Sequence, residues 1–204
     1  MLQIQATRLS KNYNRQIVFK NFSAIFESGK KYAILGPNGS GKSTLLKVLS
    51  QYTTPESGTV EYYHNQKRKE PHLIFKHISY VAPYVALFRN FTTTEMLEWI
   101  RQSKGLSYSP KDILEITQLY PVRNKYLKHL SSGMQQRLKL ATAIFVPAEV
   151  LFLDEPCTNL DQTGIQLYQN WIQTHTLSKI VIIASNQPHE YEMCDMNFNM
   201  LNYK

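Results

Sequence analysis

One stretch constrains the fold of this chain more than any other, and it reads YAILGPNGSGKSTLL from Tyr32 to Leu46. It begins with an apolar segment typical of a β-strand and ends with a segment whose apolar spacing is typical of an α-helix. The residues between them, Gly36 to Ser43, fit the pattern G-x-x-x-x-G-K-[ST] of a phosphate-binding loop. Because this loop joins a strand to a helix, the stretch predicts an α/β fold with an anion site at the end of the strand.

The composition of the loop explains how it could hold phosphate groups. Its glycines allow the backbone to turn tightly, so that successive N–H groups face one anion, and the helix that begins near Lys42 adds the positive end of its dipole. Lys42 is expected to reach the β- and γ-phosphates of a nucleotide, and the Ser43 hydroxyl is expected to ligate Mg²⁺. The predicted nucleotide-binding residues of this loop are Gly36, Pro37, Asn38, Gly39, Ser40, Gly41, Lys42, Ser43 and Thr44. Kinases, GTPases and transport ATPases share such a loop, so other residues must distinguish these classes.

Strand and helix patterns alternate along the rest of the chain. The predicted strands outside the loop are Leu2–Leu9, Ile17–Phe26, Thr59–Tyr63, Ile78–Ala82, Val150–Leu153, Ile180–Ala184 and Asn197–Leu201. The first two alternate in polarity and are joined by a polar turn at 13–15, which predicts an antiparallel pair. The runs at 150–153 and 180–184 are continuously apolar, which is typical of buried parallel strands. The sequence therefore predicts an α/β fold of the P-loop NTPase class, with a mainly parallel sheet and an antiparallel β subdomain.

A block of helical pattern interrupts these strands between residues 83 and 130. Thr92 and Ser109 each precede an apolar-periodic segment and are expected to begin helices. We expect this block to form a helical subdomain. The flanking parts, about 1–82 and 131–204, are expected to form the core, so that residues 1–204 make one domain.

The charge of the chain leaves several partners open. It carries 23 Lys and Arg against 15 Asp and Glu, a net charge of +8. This excess suits nucleic acid, an anionic membrane surface, or a basic solvated face that also attracts a nucleotide. The densest cluster, Lys67–Lys69, is expected in a loop and has no interleaved aromatic residues, so a nucleic-acid partner is not favoured. Cys157 and Cys194 show no metal-binding or disulfide spacing, and reduced thiols are expected.

Two carboxylates, Asp154 and Glu155, directly follow the apolar run at 150–153. A strand-ending turn would explain such a pair by itself. In a chain that also has a phosphate-binding loop, however, the carboxyl end of a parallel strand is the expected place for catalytic groups. Asp154 is then poised to hold hydrated Mg²⁺, and Glu155 to polarise a water molecule for in-line attack.

Three further segments resemble motifs of the ATP-binding cassette (ABC) family of ATPases. LSSGMQQR, from Leu130 to Arg137, is similar to the family signature LSGGQ and the residues after it, and VLFLDEP, from Val150 to Pro156, resembles its Walker B strand. Asn159-Leu160-Asp161 resembles the short turn called the D-loop. The order and spacing of the motifs match from about residue 2 to 200. The short length and the LSSGM variant resemble the small ATPases of export-type and haem-exporter-like systems.

The resemblance implies ATP and Mg²⁺ as cofactors and two cassettes paired head to tail, as a homodimer or a heterodimer. By their residue types alone, Ser131, Ser132 and Gly133 form an ordinary helix N-terminus with exposed N–H groups. In the family, this turn contacts the γ-phosphate of an ATP held by the partner cassette, which implies nucleotide binding in trans. The resemblance also implies a nucleotide-site role for Asp161 and places Tyr13 where the family has an aromatic ring that stacks on adenine.

Two positions depart from the family's pattern. Pro83 stands where the family has a glutamine that meets Mg²⁺ and links the core to the helical subdomain, and proline has neither a side-chain oxygen nor an N–H. Asn186 stands at the switch histidine, and its amide can donate a hydrogen bond to the γ-phosphate but cannot carry charge. With Glu155, Lys42 and Asn186 as catalytic residues, we expect normal Mg-ATP binding but slow hydrolysis or altered coupling.

The functional hypothesis is the ATP-binding subunit of an ABC transporter, which powers transport through separate transmembrane permease subunits by ATP-driven dimerisation. Exposed Tyr84, Phe88 and Phe91 of the helical block are candidate permease contacts, with core packing as the alternative. No run approaches about 18 apolar residues and the start has no signal-peptide core, so a cytoplasmic location, peripheral at the inner face of the membrane, is expected. The alternatives are a non-transport ABC ATPase that acts on nucleic acid or ribosomes and a regulatory cassette with weak turnover.

Overall fold

A computed structural model describes residues 1–14 and 16–204 of the chain. Its strands are β1 Leu2–Tyr13, β2 Gln16–Glu27, β3 Lys31–Leu35, β4 Ser57–His64, β5 Lys67–Arg68, β6 Ile78–Val81, β7 Val150–Asp154, β8 Ile180–Ser185 and β9 Met196–Asn199. Its α-helices are α1 Lys42–Leu49, α2 Pro71–Ile74, α3 Thr93–Lys104, α4 Pro110–Ile116, α5 Ser132–Ile144, α6 Gln162–His175 and α7 Pro188–Tyr191. Short 3₁₀ turns lie at Phe75–His77, Tyr120–Val122, Leu127–His129 and Met200–Tyr203. The predicted turn at 13–15 includes Arg15, which lies outside the described residues.

The antiparallel sheet has the strand order β2-β1-β4-β5. Its central strand β1 alternates strictly at its start, and Leu2, Ile4 and Ala6 are buried while the residues between them are partly exposed. This alternation is expected for a sheet with one face on the core. The prediction that the basic cluster lies in a loop is wrong for two of its residues. Lys67 and Arg68 form the short strand β5, which pairs with the end of β4.

The second sheet is entirely parallel and has the order β6-β7-β8-β3-β9. Leu35 at the end of β3 pairs with Ser185 at the end of β8, and Asp154 at the end of β7 pairs with Ala184. The carboxyl ends of β3, β7 and β8 therefore lie side by side at one edge. The predicted closing strand is shorter than expected, because the chain turns into a 3₁₀ helix after Asn199.

Both faces of the parallel sheet are covered, which explains the continuous apolar runs in its strands. Along β7 and β8 alternate residues enter different cores. Leu151 and Val181 belong to a cluster that includes residues of α3, α4, α5 and α6, whereas Phe152 and Ile182 belong to one that includes residues of α1 and the antiparallel sheet. The parallel sheet is thus the middle layer of the molecule.

The two helices predicted near Thr92 and Ser109 are present and begin with local caps. The Thr92 hydroxyl accepts a hydrogen bond from the Glu95 N–H, and the Glu95 carboxylate accepts one from the Thr92 N–H, which is a capping box at the start of α3. Ser109 caps α4, with Pro110 in the first turn. Residues 84–92 form turns and irregular backbone, so α-helix occupies less of the block than its pattern predicts.

Candidate nucleotide-binding site

The loop from Gly36 to Ser43 has a backbone that only glycine adopts without strain at its two ends. Gly36 has φ of 142° and Gly41 has φ of 104°. A Cβ at Gly36 would lie 2.7 Å from Ser40 Oγ, and one at Gly41 would lie 2.7 Å from Cγ1 of Val18. The loop therefore needs glycine both for its dihedral angles and for its packing.

Lys42 lies at the first position of α1, and its side chain folds back over the loop. Its ammonium donates hydrogen bonds to the carbonyl oxygens of Gly36 at 2.7 Å and Pro37 at 3.2 Å. These contacts hold the loop closed on the cation. A positive charge consequently lies inside the turn, as the sequence predicts for a lysine that meets phosphate groups.

A cavity of about 350 Å³ opens in front of this loop. Its lining brings together residues from distant parts of the sequence, namely Tyr13, Gln16, Ile17, Val18, Asn38, Gly39, Gly41, Lys42, Ser43, Thr44, Glu155 and Lys204. The Tyr13 side chain is 48% exposed at the end of β1, with the Lys11 ammonium 5.1 Å from its ring centroid. The exposed ring and the apolar Val18, which lines the same cavity, offer a surface on which a flat base could stack.

Asp154 ends β7 in a buried position beside Ser43 and Lys42. Burial raises the pKa of its carboxyl, while the Ser43 hydroxyl and the Lys42 charge oppose that shift. Among the described residues its Oδ1 atom is buried and has no hydrogen-bond partner. An orphaned carboxylate oxygen next to a hydroxyl is the oxygen donor set that Mg²⁺ prefers. The residues present at this position fit a hydrated Mg²⁺ ion.

Glu155 has a backbone that a non-glycine residue seldom adopts, with φ of 48°. The conformation is held by its N–H, which donates to the Ala184 carbonyl at 2.9 Å, and by its carbonyl, which accepts from the Thr158 hydroxyl at 2.9 Å. Strained backbone of this kind is retained where neighbouring contacts over-determine it. Here those contacts place Glu155 in the lining of the loop cavity.

Asn186 follows β8 and reaches the loop from the other side. Its Nδ2 atom lies 3.5 Å from Oδ1 of Asn38, which is a long hydrogen bond. Both residues line a second cavity of about 350 Å³, and Glu155 lines this cavity as well. The structure therefore brings Lys42, Glu155 and Asn186, predicted as catalytic, around one loop.

The turn at Ser131 lies apart from this cluster. Ser131 caps α5 by accepting a hydrogen bond from the Met134 N–H at 3.2 Å, and both Ser131 and Ser132 are exposed. A Cβ at Gly133 would lie 3.0 Å from the Asn159 carbonyl oxygen, so this position is tightly packed on the turn at 159–161. Neither cavity has Ser131, Ser132 or Gly133 in the part of its lining that the structure describes. Asp161 caps α6 through the Gly164 N–H at 2.8 Å and is likewise outside both linings.

Two buried polar residues that the sequence did not single out fix the segment after Glu155. Gln136 of α5 donates from Nε2 to the Pro156 carbonyl at 2.6 Å. Glu190 of α7 accepts from the Cys157 N–H at 2.7 Å and from the Ser185 hydroxyl. Gln136 carries no separate signal, because the residues on either side of it, Gln135 and Arg137, are also polar. Glu190 carries none either, because it lies in a polar stretch and is buried only by tertiary packing.

The fold also gathers a group of metal-binding residue types that the sequence spacing does not indicate. Donor atoms of Cys157, His189 and Glu190 lie within 4.8 Å of one another. Both Glu190 carboxylate oxygens already accept hydrogen bonds, from the Cys157 backbone and from Ser185. Burial raises the pKa of the Cys157 thiol, because desolvation disfavours the thiolate next to a carboxylate. The Glu190 carboxylate is thus already engaged in hydrogen bonds that join the segment after Glu155 to the end of β8.

Comparison with known proteins decides between the classes that share the loop. The family model described as ABC transporter matches residues 19–158. This chain belongs to the ABC transporter family.

Within the described residues, no helix is both long and apolar enough to cross a membrane.

Several relatives and solved structures are similar to this chain. The uncharacterized ABC transporter ATP-binding protein YcbN of Bacillus subtilis is 31% identical over 172 residues, which cover 83% of this chain and 56% of the relative. The bacitracin transport ATP-binding protein BcrA of Enterococcus faecalis is 30% identical, covering 93% of this chain and 63% of the relative. A Pyrococcus furiosus structure described as an ABC transporter ATP-binding protein has 26% identity and a TM-score of 0.84, and covers 99% of both chains.

The chain spans about half to just under two thirds of the length of the relatives it matches. Across the span it shares, the predicted family and the predicted fold are confirmed. The fold is an α/β P-loop NTPase with a parallel sheet, an antiparallel sheet and helices, as in the Pyrococcus structure.

Proposed function

We propose that this chain is the ATP-binding and ATP-hydrolysing subunit of an ABC transporter that works with separate transmembrane permease subunits. The observation that carries the proposal is the meeting of three strand ends at one edge of the parallel sheet. The phosphate-binding loop follows β3, Asp154 ends β7 with Glu155 directly after it, and Asn186 follows β8. Membership of the ABC transporter family makes a nucleotide with a transferable γ-phosphate the natural ligand for that edge.

The roles of the residues follow from their positions. Tyr13 would stack on adenine, while the N–H groups from Gly36 to Thr44 and the Lys42 ammonium would hold the phosphates. Asp154 and Ser43 would hold Mg²⁺, which when bound neutralises charge that develops on the β- and γ-phosphates. Glu155 would accept the proton of the attacking water, and Asn186 would donate a hydrogen bond to the γ-phosphate.

We further propose that the site is completed by a second cassette. The Ser131 turn exposes its hydroxyl-capped helix N-terminus to solvent and contributes nothing to the cavity lining that the structure describes. A partner's α5 docked over the cavity would present the N–H groups of Ser131, Ser132 and Gly133 to the γ-phosphate. Asp161, exposed on the adjoining turn, would face the same interface. The partner is an identical or a related cassette.

We propose that residues 1–204 form one domain, with a helical subdomain at about 83–130. The permease would dock beside α1 and the start of this subdomain. Tyr84 is 55% exposed and Phe88 is 49% exposed, as expected for contact residues. Phe91 differs from that expectation, because it is only partly exposed and packs against the core cluster. Tyr52, Tyr80 and Tyr84 line a cavity of about 370 Å³ there. The chain would then lie in the cytoplasm at the inner face of the membrane.

Turnover is proposed to be slow. Pro83 offers no side-chain donor or acceptor near the site, and Asn186 carries no charge and is held toward Asn38 at 3.5 Å. The loop N–H groups, Lys42, Ser43 and Asp154, which are proposed to hold the phosphates and Mg²⁺, are all present, and Asn186 meets the loop through this long contact. Binding and dimerisation would then be retained while the rate of the chemical step is reduced.

The proposal is tested with the Glu155→Gln variant, which keeps the shape of the site but lacks the base. With Mg-ATP the variant is expected to sediment as a stable dimer and without nucleotide as a monomer, while the unmodified chain releases phosphate slowly. Lys42→Ala is the matched control that should bind no nucleotide. A Glu155→Gln chain that binds ATP but stays monomeric would contradict the paired-cassette function.

A further inference from the structure

The segment Ala82–Tyr84 leads from β6 into the helical block and lies between two helices that begin at anion-binding turns. Helix α1 begins at the phosphate-binding loop, and α5 begins at the Ser131 turn. One lysine from each helix contacts this segment. Lys47 comes from α1 and Lys139 from α5.

The contact on the α1 side is made by Tyr84. The Lys47 ammonium lies 4.4 Å from the centroid of the Tyr84 ring, which is a cation–π distance. The hydroxyls of Tyr84 and Tyr80 lie 2.9 Å apart and share a hydrogen bond, which orients the ring. Tyr80 belongs to β6, so Tyr84 is tied both to the central sheet and to the helix behind the phosphate loop.

The contact on the α5 side is made by backbone carbonyls. The Lys139 ammonium lies 3.3 Å from the Ala82 carbonyl oxygen and 3.5 Å from that of Pro83. Ala82 is buried and Lys139 is partly buried, so water competes less for the first contact than for the second. Within the described part of the chain, neither Lys47 nor Lys139 has a carboxylate at salt-bridge distance. Both ammonium groups are therefore directed at this segment.

We propose that Lys47 and Lys139 are positioning residues that couple the phosphate-binding loop to the Ser131 turn by holding the segment 82–84 from both sides. The inference rests on the proposed function, because coupling matters only if ATP binding in one chain orients a turn that a second chain uses. A displacement of α1 would shift Tyr84 through Lys47, and the carbonyls of the two preceding residues, Ala82 and Pro83, would carry that shift to Lys139 and α5. Pro83 suits this task because its fixed φ stiffens the short connection.

The physical reason for two lysines is the chemistry of the segment itself. Proline at position 83 has no N–H and no polar side chain, so its only polar partner for α5 is its carbonyl oxygen, which accepts from a donor. A lysine on α5 supplies such a donor on a long, adaptable stem. The link consists of a cation–π contact at one end and long hydrogen bonds from an ammonium group at the other.

The inference is tested in the Glu155→Gln background by measuring nucleotide affinity and ATP-dependent dimerisation separately. Lys139→Met keeps the aliphatic stem and removes the donor, and it is expected to weaken dimerisation about three- to tenfold, as for loss of a partly screened charged hydrogen bond. Nucleotide affinity of the monomer should change by less than about twofold. Lys139→Arg retains donors and should restore dimerisation, while Lys104→Met, at an exposed lysine of α3, is the matched control.

A double-mutant cycle separates a shared link from two independent contacts. Tyr84→Leu removes the ring that Lys47 contacts, and it should weaken dimerisation by a similar factor. The double variant Tyr84→Leu/Lys139→Met should be no weaker than the poorer single variant, because either change breaks the same link. Fully additive losses, or a Lys139→Met variant that dimerises like its parent, would overturn the inference. A Glu155→Gln parent that fails to dimerise with ATP would overturn the proposed function together with this inference.

Discussion

Removal of the Glu190 carboxylate is expected to destabilise the chain strongly, although this residue lies in none of the recognised motifs. Its side chain is only 2% exposed, and it accepts hydrogen bonds from the Cys157 N–H at 2.7 Å and from the Ser185 hydroxyl. Burial raises the pKa of this carboxyl, because desolvation opposes its charge, whereas the two hydrogen bonds favour the charge. Glu190 thereby joins the segment after Glu155 to the end of β8.

The magnitude follows from what each substitution leaves behind. Glu190→Ala leaves two buried donors without an acceptor and opens a small cavity, at about 1–3 kcal/mol for each unsatisfied group. The variant no longer buries a carboxylate, and the desolvation energy that this saves offsets part of the loss. We therefore expect the free energy of unfolding to fall by about 3 kcal/mol. Glu190→Gln keeps the volume and one acceptor, so the expected loss is about 1–2 kcal/mol.

Equilibrium urea unfolding measures this difference. A loss of about 3 kcal/mol should lower the unfolding midpoint by roughly 1 M urea at an unchanged m-value. Glu192→Ala, at an exposed acid two positions later, is the control and should cost less than about 1 kcal/mol. A Glu190→Ala variant within about 1 kcal/mol of the unmodified chain would refute the bracing role.

Three other predictions address dimerisation, turnover and pH. Ser131→Arg should preserve nucleotide binding to the monomer but abolish ATP-dependent dimerisation in a sedimentation assay. Ser131→Ala is the control, because it removes only the N-cap hydrogen bond; it should lower stability by about 1 kcal/mol and still dimerise. The double variant Pro83→Gln/Asn186→His should release phosphate several times faster than the unmodified chain in a steady-state assay, and an unchanged rate would count against slow turnover arising at these positions. Burial lowers the pKa of Lys179 from 10.5 to about 8, so between these values the unfolded chain binds a proton that the folded chain has released. Stability relative to Lys179→Met should therefore rise with pH across that window, by at most about 1.4 kcal/mol per pH unit in urea unfolding, and a fall would contradict the assigned direction.

Much of the fold could be predicted because its signals are local. The apolar runs of β7 and β8 mark strands buried on both faces, and the Thr92 and Ser109 caps mark where α3 and α4 begin. The prediction was wrong at Lys67 and Arg68, since polar residues at a sheet edge pair through their backbone and leave no apolar pattern. For Phe91 the structure supports the alternative of core packing, because its side chain is partly buried against the helical cluster. A single aromatic residue in a sequence does not distinguish exposure from packing.

By itself, the sequence determined the phosphate-binding loop, the carboxylate pair at the end of β7 and the membership of a family, because each depends on residues that are neighbours along the chain. Only the tertiary structure decided which distant groups meet. Parallel pairing aligns the ends of β3, β7 and β8, and so brings Asn186 to Asn38 across 148 positions of sequence. Packing of helices on the sheet likewise sets Glu190 against Cys157 and Lys139 against Ala82. Such contacts depend on the order of the strands and the placement of the helices, and no local pattern of residues in the sequence specifies either of these.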